Sequence, residues 1–266
     1  MGLAQDLEAI AVDIAREAGE RARMRRAEGV RIAATKSALA DIVTEADREV
    51  EDLIRARLAA ERPDDGFLGE ESGAERGDSD ITWVVDPIDG TVNYAYGIPV
   101  YGVSIAAVAG EPEPTRWEAL AGAVFHPSTG DMFRAARDEG AWLGEHRLAV
   151  NAEPSDAGAL VATGFGYDPT THAGDLAAVE RMLPLARDLR RAGAASLDLA
   201  YVAAGRLDGY FERGLQPWDH AAGCLLVTEA GGLVGGWHSR DAAGRALTVA
   251  AGPALFPRLL RAVDLG

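Results

Sequence analysis

Residues 81–93 read Ile-Thr-Trp-Val-Val-Asp-Pro-Ile-Asp-Gly-Thr-Val-Asn, an apolar strand that ends in two carboxylates followed by a glycine and a hydroxyl. Pro87 fixes one backbone angle and removes a donor, so we expect Asp86 and Asp89 to be held on one tight turn. Gly90 lets backbone N–H groups approach an anion. Carboxylate oxygens are hard ligands that suit Mg²⁺, so the stretch predicts a binding site for a divalent metal ion and a phosphate group. Taken alone, it is equally typical of an Asp-Pro turn that caps a helix.

Two further acidic segments lie far from this stretch in the chain. Upstream, residues 67–72 read Phe-Leu-Gly-Glu-Glu-Ser, a short apolar run that ends in paired glutamates. Downstream, residues 217–223 read Pro-Trp-Asp-His-Ala-Ala-Gly, where Asp219 opens an apolar helical stretch. Three separated carboxylate clusters are able to close around one site, which favours a metal centre over a simple turn.

Composition narrows the class of protein. The chain has 266 residues with 48% hydrophobic content, enough to bury a large core as one or two lobes. Its formal net charge of −16 argues against binding nucleic acid or anionic membranes, because those surfaces require clustered cations. The apolar runs are too short to span a bilayer and the first residues carry acids without a basic region, so we expect a cytoplasmic protein. The single cysteine, Cys224, is interpreted as a buried, unreactive thiol in a helix.

Lys36 is the only lysine among the 26 basic residues. Because a compact ammonium differs from a planar guanidinium wherever space is tight, this residue is a candidate accessory functional residue. Chance survival of one lysine is the competing interpretation.

Apolar spacing predicts helices on a largely antiparallel sheet in the first 150 residues. One helix carries Leu7, Ile10, Ile14 and Ala18, and a second follows a capping box formed by Thr44 and Asp47. The acids of that second helix are predicted to form a solvated face: Glu49, Glu51 and Asp52. Strands are predicted at 82–85, 101–108, 119–125, 132–136 and 142–150.

After residue 151 the pattern alternates between strand and helix. Strands are predicted near 160–164, 207–211 and 247–250, and helices near 176–189, 196–204, 218–230 and 255–263. This alternation favours an α/β lobe.

The acidic strings together resemble the inositol monophosphatase family of Mg²⁺-dependent, lithium-sensitive phosphatases. The chain carries Gly-Glu-Glu-Ser at 69–72, Asp-Pro-Ile-Asp-Gly-Thr at 86–91 and Trp-Asp-His-Ala-Ala-Gly at 218–223. Further segments similar to the family lie at 36–47 and 190–214. The resemblance implies a layered α-β-α-β-α sandwich of the inositol monophosphatase and fructose-bisphosphatase type. It also implies an N-terminal α+β lobe at 1–150 that carries most metal ligands, a C-terminal α/β lobe at 151–266, and a homodimer.

The resemblance also implies a metal site with two or three Mg²⁺ ions. The implied ligands are Glu70, Asp86, the backbone carbonyl of Ile88, Asp89 and Asp219. Asp86 would bridge two ions, one of which activates water while the other stabilises the leaving alkoxide. Thr91, paired with Glu70, is expected to orient the attacking water, and Asp89 completes the implied catalytic set. No covalent phosphoenzyme is needed.

The substrate-binding residues are implied in the same way. The amides of Gly90 and Thr91 are expected to hold phosphate oxygens. The residues expected around the alcohol are Gly193, Ala194, Ala195, Glu212 and Asp219. Glu212 is the informative one, because a carboxylate that accepts from ring hydroxyls fits a polyol. This chain departs from relatives at Ala194, where Thr or Ser is common.

These expectations lead to Mg²⁺-dependent hydrolysis of a phosphate monoester, with inositol 1-phosphate as the leading substrate. The alternatives are histidinol phosphate, a nucleotide 3′-phosphate and fructose 1,6-bisphosphate. A hypothesis of another class is a regulatory protein that uses the same scaffold to bind a transcription or ribosomal partner. The metal-site residues argue against a purely regulatory role.

Overall fold

Two β-sheets and three layers of helices alternate through the molecule, in a computed structural model that describes residues 2–30, 32–35, 42–111 and 113–264. Lys36 lies outside the described residues, so its predicted accessory role stays a prediction. The order of layers is helix, sheet, helix, sheet, helix, which confirms the layered sandwich expected from the sequence.

The first sheet has eight strands and lies in the N-terminal half. Its strands are β3 (Gly66–Gly69), β4 (Gly73–Glu75), β5 (Ile81–Asp89), β6 (Gly102–Gly110), β7 (Trp117–His126), β8 (Asp131–Ala136), β9 (Gly140–Leu143) and β10 (His146–Arg147). They are ordered β10-β9-β8-β7-β6-β5-β3-β4. All pairs are antiparallel except β3 with β5. A separate antiparallel pair precedes them, β1 (Ile32–Thr35) and β2 (Ile42–Thr44).

The second sheet has five strands and lies in the C-terminal half. Its strands are β11 (Ala159–Thr163), β12 (Ala186–Arg190), β13 (Gly209–Arg213), β14 (Leu233–Gly235) and β15 (Leu247–Ala251), in the order β12-β11-β13-β15-β14. β11 is parallel to both of its neighbours, and the remaining pairs are antiparallel. The strands of the two sheets fall on either side of residue 150, while the predicted division into two lobes stays a prediction.

The helices cover both faces of both sheets. Their bounds are α1 (Leu3–Glu28), α2 (Glu45–Glu61), α3 (Thr91–Tyr96), α4 (His172–Met182), α5 (Ala195–Ala203), α6 (Pro217–Glu229) and α7 (Phe256–Val263). α1 and α2 cover the outer face of the first sheet, α5 and α6 lie between the sheets, and α4 and α7 cover the outer face of the second. Among the described residues, no helix combines the length and apolar character needed to cross a membrane.

The buried face of α1 shows why this sequence forms a helix against the sheet. Leu7, Ala11, Ile14 and Ala18 recur at helical spacing and are fully buried. The strands beneath are apolar on both faces, as in β6, because helices cover the sheet from both sides. The middle core is shared by α5, α6 and inner faces of both sheets, so it joins the two halves of the chain.

Three local predictions were wrong. Residues 142–150 do not form one strand, because the chain reverses at Gly144 between β9 and β10. The helix predicted over 176–189 ends at Met182, and residues 186–190 form the edge strand β12 instead. Glu51 is 2% exposed rather than solvated, since it faces the loop that follows β3.

Gly19 tests the close packing of α1 on the sheet. A methyl group added there would overlap the ring of Phe125, so Gly19→Ala is expected to lower the free energy of unfolding by about 1–3 kcal/mol. Gly174→Ala is the matched control, because nothing lies near that position in α4 and the gain in helix propensity should stabilise by about 0.5–1 kcal/mol. Urea denaturation of both variants decides the point. Equal stabilisation by both substitutions would contradict the packing described here.

Candidate active site

A bulge in β5 brings two carboxylates to one end of the eight-stranded sheet. The register between β5 and β6 slips between Asp86 and Asp89. Pro87 lies inside this slip and has no N–H to give to a ladder. The N–H of Ile88 donates to Oδ1 of Asp86 over 3.1 Å. Bulges of this kind redirect side chains, and here both predicted acids are directed to one place.

Strand register brings Glu70 to the same place. β3 lies parallel to β5 with Gly69 opposite Val85, so the residues that follow these two along the chain, Glu70 and Asp86, lie side by side. The N–H of Glu70 also donates to the carbonyl of Val85 over 3.2 Å. The pairing of a short strand therefore places a glutamate beside an aspartate that is distant in sequence.

Gly90 connects the bulge to α3 and is restricted to glycine. Its φ is +91°, and a Cβ there would lie 2.9 Å from the carbonyl oxygen of Val100 and 3.1 Å from that of Gly193. The left-handed conformation and the close approach of two backbone segments both exclude a side chain.

Asp47 is a residue of this site that sequence reasoning missed. The sequence predicts a helix cap here, and the capping box with Thr44 is present: the N–H of Thr44 donates to Oδ2 of Asp47 over 2.7 Å. Its other oxygen, Oδ1, accepts from the hydroxyl of Thr91 over 3.2 Å. The family-like segment at 36–47, which ends at Asp47, was the available signal, but the contact itself forms only because the tertiary fold brings α2 against the start of α3.

Asp89 joins the two halves of the chain. Its carboxylate accepts the N–H groups of Ala195 and Ser196 over 3.2 and 2.7 Å, at the first turn of α5. A negative charge at a helix N-terminus is favourable, so these contacts stabilise Asp89 and align α5 with the bulge. Gly193 and Ala195 thereby reach the site, whereas Ala194 is 1% exposed and packs in the middle core.

Asp219 reaches the same cleft from the first turn of α6. Its Oδ2 accepts the N–H of Gln216 over 2.7 Å, which fixes the carboxylate at the start of the helix. Pro217, at the first position of α6, has no N–H to satisfy and is suited to begin a helix.

Glu212 lies on β13 and is partly buried in the wall of the same cleft. Its Oε2 accepts from the hydroxyl of the buried Tyr210 over 2.5 Å. Burial is the main cause that raises the pKa of Glu212 to about 7. Glu212 is therefore a partly buried acid of the cleft wall and not a solvated turn residue.

One cleft of about 740 Å³ brings these residues together. The predicted site residues on its wall are Glu70, Asp86, Ile88, Asp89, Gly90, Thr91, Gly193, Ala195, Glu212 and Asp219. Basic and aromatic side chains also line the cleft, among them Arg191, Arg240, Phe165 and Tyr167. The volume lies within the range of pockets that bind small molecules.

The acids of the cleft raise one another's pKa values. Burial raises the pKa of Asp86 well above its ordinary value, and the charges of Glu70, Asp89 and Asp219 raise it further. The pKa values of Asp219 and Asp89 are also raised, mainly by burial. Hydrogen bonds from the first turn of α5 oppose this rise at Asp89. Like charges gathered in a partly dry cleft favour the binding of a cation.

The oxygen atoms gathered in the cleft are of the chemical type that binds a hard divalent cation. The acids beside Asp86 are all carboxylates, and oxygen ligands are those that Mg²⁺ prefers. Among the residues that the structure describes, no group of three or more acidic, histidine or cysteine side chains is arranged to hold a metal ion. Asp89 and Asp219 instead accept backbone N–H groups, and mutual repulsion opposes closer approach.

His220 and Cys224 are buried in the core next to the cleft. His220 lies between the rings of Trp117 and Trp237, at centroid distances of 6.0 and 6.2 Å, and burial lowers its pKa to about 4. It is therefore neutral at pH 7. Burial also raises the pKa of the Cys224 thiol to about 12, which leaves it unreactive.

The repulsion among the acids leads to a stability prediction for the metal-free protein. Burial and like charges raise the pKa of Asp86 above 3.8, so its ionisation destabilises the fold increasingly as the pH rises past that value. In buffer with a chelator at pH 8, Asp86→Asn should raise the melting temperature by about 2–4 °C, and the difference from wild type should vanish near pH 4. Asp78→Asn, at an exposed position, should change neither value. An unchanged or lower melting temperature for Asp86→Asn at pH 8 would contradict the repulsion.

Comparison with known proteins agrees with the resemblance seen in the sequence. The model of the inositol monophosphatase family matches residues 3–264. An inositol-1-monophosphatase of Mycobacterium bovis is 41% identical over 279 residues, covering 97% of this chain and 93% of the relative. A protein named Nus factor SuhB, from Pasteurella multocida, is 42% identical over 230 residues, covering 84% of this chain and 83% of the relative.

A solved structure shows the same fold. The extragenic suppressor protein suhB of Bartonella henselae superposes with a TM-score of 0.86 at 35% identity, covering 98% of this chain and 99% of that one. The match extends over both sheets and all three helical layers, since almost no part of either chain is left out. The chain belongs to the inositol monophosphatase family and is a phosphoric monoester hydrolase.

Proposed function

We propose that this chain hydrolyses the phosphate ester of a polyol in a Mg²⁺-dependent reaction, with inositol 1-phosphate as the leading substrate. The observation that carries the proposal is the single cleft on which Glu70, Asp86, Asp89 and Asp219 meet Glu212. The first four acids supply oxygen donors for metal. Glu212 supplies an acceptor for a hydroxyl of the alcohol.

The proposed metal ligands are Glu70, Asp86, the carbonyl of Ile88, Asp89 and Asp219. When bound, Mg²⁺ supplies a positive charge for the phosphate oxygens and lowers the pKa of water. On a chain of net charge −16, such a charge is also what allows an anionic substrate to approach the acidic wall.

Thr91 and Asp47 are the proposed groups for proton movement. The Thr91 hydroxyl lies on the cleft wall and donates to the buried Asp47. An attacking water that donates to the oxygen of Thr91 would be held in place by this pair. As the water attacks, its proton would pass to the Thr91 oxygen while the Thr91 hydroxyl proton passes to the carboxylate of Asp47. Burial is the main cause that raises the pKa of Asp47 to about 6, so it remains a carboxylate at neutral pH.

Substrate positioning is proposed for residues from both halves of the chain. The amides of Gly90 and Thr91 follow the bulge and are proposed to contact phosphate oxygens. Gly193 and Ala195 would border the ring, while Ala194, packed in the core, would act through backbone position only. Glu212 accepts from Tyr210 through Oε2, and its carboxylate is proposed to accept from a ring hydroxyl as well.

A homodimer, lithium sensitivity and a cytoplasmic location are proposed on the basis of the family. Exposed apolar side chains at Tyr96 and Ile98, which are 78% and 47% exposed, support a surface that a second copy would cover.

A second candidate function is regulatory binding on the same scaffold. The supporting observation is that a relative of 42% identity is named Nus factor SuhB. If binding is the principal role, Asp89→Asn protein should retain the partner in a pull-down and retain the cellular phenotype.

The first functional test is phosphate release from a substrate panel with and without Mg²⁺. The panel contains inositol 1-phosphate, histidinol phosphate, a nucleoside 3′-phosphate and fructose 1,6-bisphosphate. Turnover should require Mg²⁺ and be highest on inositol 1-phosphate, and Asp219→Asn should lower kcat/KM by at least about 100-fold. Asp78→Asn serves as the control. Turnover that is equal in the presence of a chelator would refute metal dependence, and a higher kcat/KM for another ester would replace the leading substrate.

Glu212 provides the test of polyol recognition. Glu212→Gln exchanges one acceptor oxygen for a donor, so KM for inositol 1-phosphate should rise about tenfold while kcat changes by less than about threefold. KM for p-nitrophenyl phosphate, which has no ring hydroxyls, should change far less. Glu180→Gln, on the exposed side of α4, is the control variant. A similar loss on both substrates would show that Glu212 does not recognise the alcohol.

A further inference from the structure

Glu51 is a buried carboxylate that the proposed chemistry does not use. It lies in the middle of α2 and is 2% exposed. Its Oε2 accepts the N–H of Glu71 over 2.9 Å, and its Oε1 accepts the N–H of Ser72 over 2.7 Å. Hydrogen bonds to a charged acceptor are about twice as strong as neutral ones, so this carboxylate is a firm anchor for the backbone it contacts.

The anchored backbone is the turn that carries Glu70. Residues 70–72 connect β3 to β4, and on the other side the N–H of Glu70 donates to Val85 of β5. The turn is thus held from two directions, by the sheet before Glu70 and by Glu51 after it. Gly69 makes room for this arrangement, because a Cβ there would lie 2.5 Å from Oε2 of Glu51.

The same face of α2 also holds the other end of the site. Asp47 lies four residues before Glu51, which places both side chains on one face of the helix. Asp47 contacts Thr91, while Glu51 contacts the turn after Glu70. One rigid helix is therefore bonded to both segments, and it sets where they lie relative to each other.

We propose that Glu51 is a positioning residue for the metal site, acting through the turn that carries Glu70. This inference rests on the proposed function, because it assigns Glu70 to the metal. A residue with only a general structural role would lower stability without changing the affinity of the folded protein for a divalent cation. A positioning residue would change that affinity, since groups that orient a ligand typically contribute about 10- to 100-fold to metal binding.

The experiment measures Mg²⁺ binding to substrate-free protein by calorimetry, together with phosphate release. In Glu51→Gln, an amide group faces a backbone N–H where an acceptor is required. The Mg²⁺ dissociation constant should rise by about 10-fold or more, with kcat partly restored at high Mg²⁺. Glu49→Gln is the matched control on the same helix, because Glu49 pairs with Arg21 and Arg25 on the surface. Its Mg²⁺ affinity should equal that of wild type.

Gly69→Ala perturbs the same contact from the other side and keeps the test decisive if Glu51→Gln does not fold. It should weaken Mg²⁺ binding in the same direction while Glu51 itself is intact. Wild-type affinity in whichever of the two variants is folded would overturn the proposal. If wild-type protein binds Mg²⁺ and releases phosphate but the variants match it, only this inference fails. If wild-type protein does neither, the proposed function fails and this inference with it.

Discussion

Carboxylates that repel one another are held together at the junction of two sheets. The rest of the structure depends on this interaction, because it must hold these charges close to one another. Asp86 is buried among the charges of Glu70, Asp89 and Asp219, an arrangement that destabilises the chain without a compensating cation. The fold counters the repulsion with backbone donors. The first turn of α5 donates to Asp89, and the start of α6 donates to Asp219. These contacts also fix the helices that lie between the sheets.

The position of each acid follows from a different structural device. A bulge in β5 directs Asp86 and Asp89 to one end of the sheet, and the parallel pairing of β3 with β5 sets Glu70 beside them. Asp219 arrives on a helix of the middle layer. Because both sheets contribute to one shared core, movement of either half would change the distances among the acids. Stability of the middle layer and formation of the site are therefore linked.

Helix α2 gives the site a second kind of support. Its buried face carries Asp47 and Glu51, which contact Thr91 and the turn after Glu70. Both carboxylates can influence the site without contacting substrate, because they hold the segments that carry Thr91 and Glu70. A helix is stiffer than the loops it contacts, so bonding both loops to it reduces the freedom of the groups that would hold metal and water. Preorganisation of this kind is what electrostatic catalysis requires.

The sequence by itself predicted most helices and strands, because apolar periodicity and local turn chemistry are properties of neighbouring residues. The layered fold and the family followed from the resemblance that the three acidic segments carry. It also predicted Glu70, Asp86, Asp89, Asp219 and Glu212 as residues of one site, and all five lie on one cleft. Only the tertiary structure decided that Asp47 contacts Thr91, that Glu51 is buried against the turn after Glu70, and that residues 186–190 form an edge strand. These features depend on contacts between segments that are distant in the chain, and local spacing carries no information about which distant segment will be the partner.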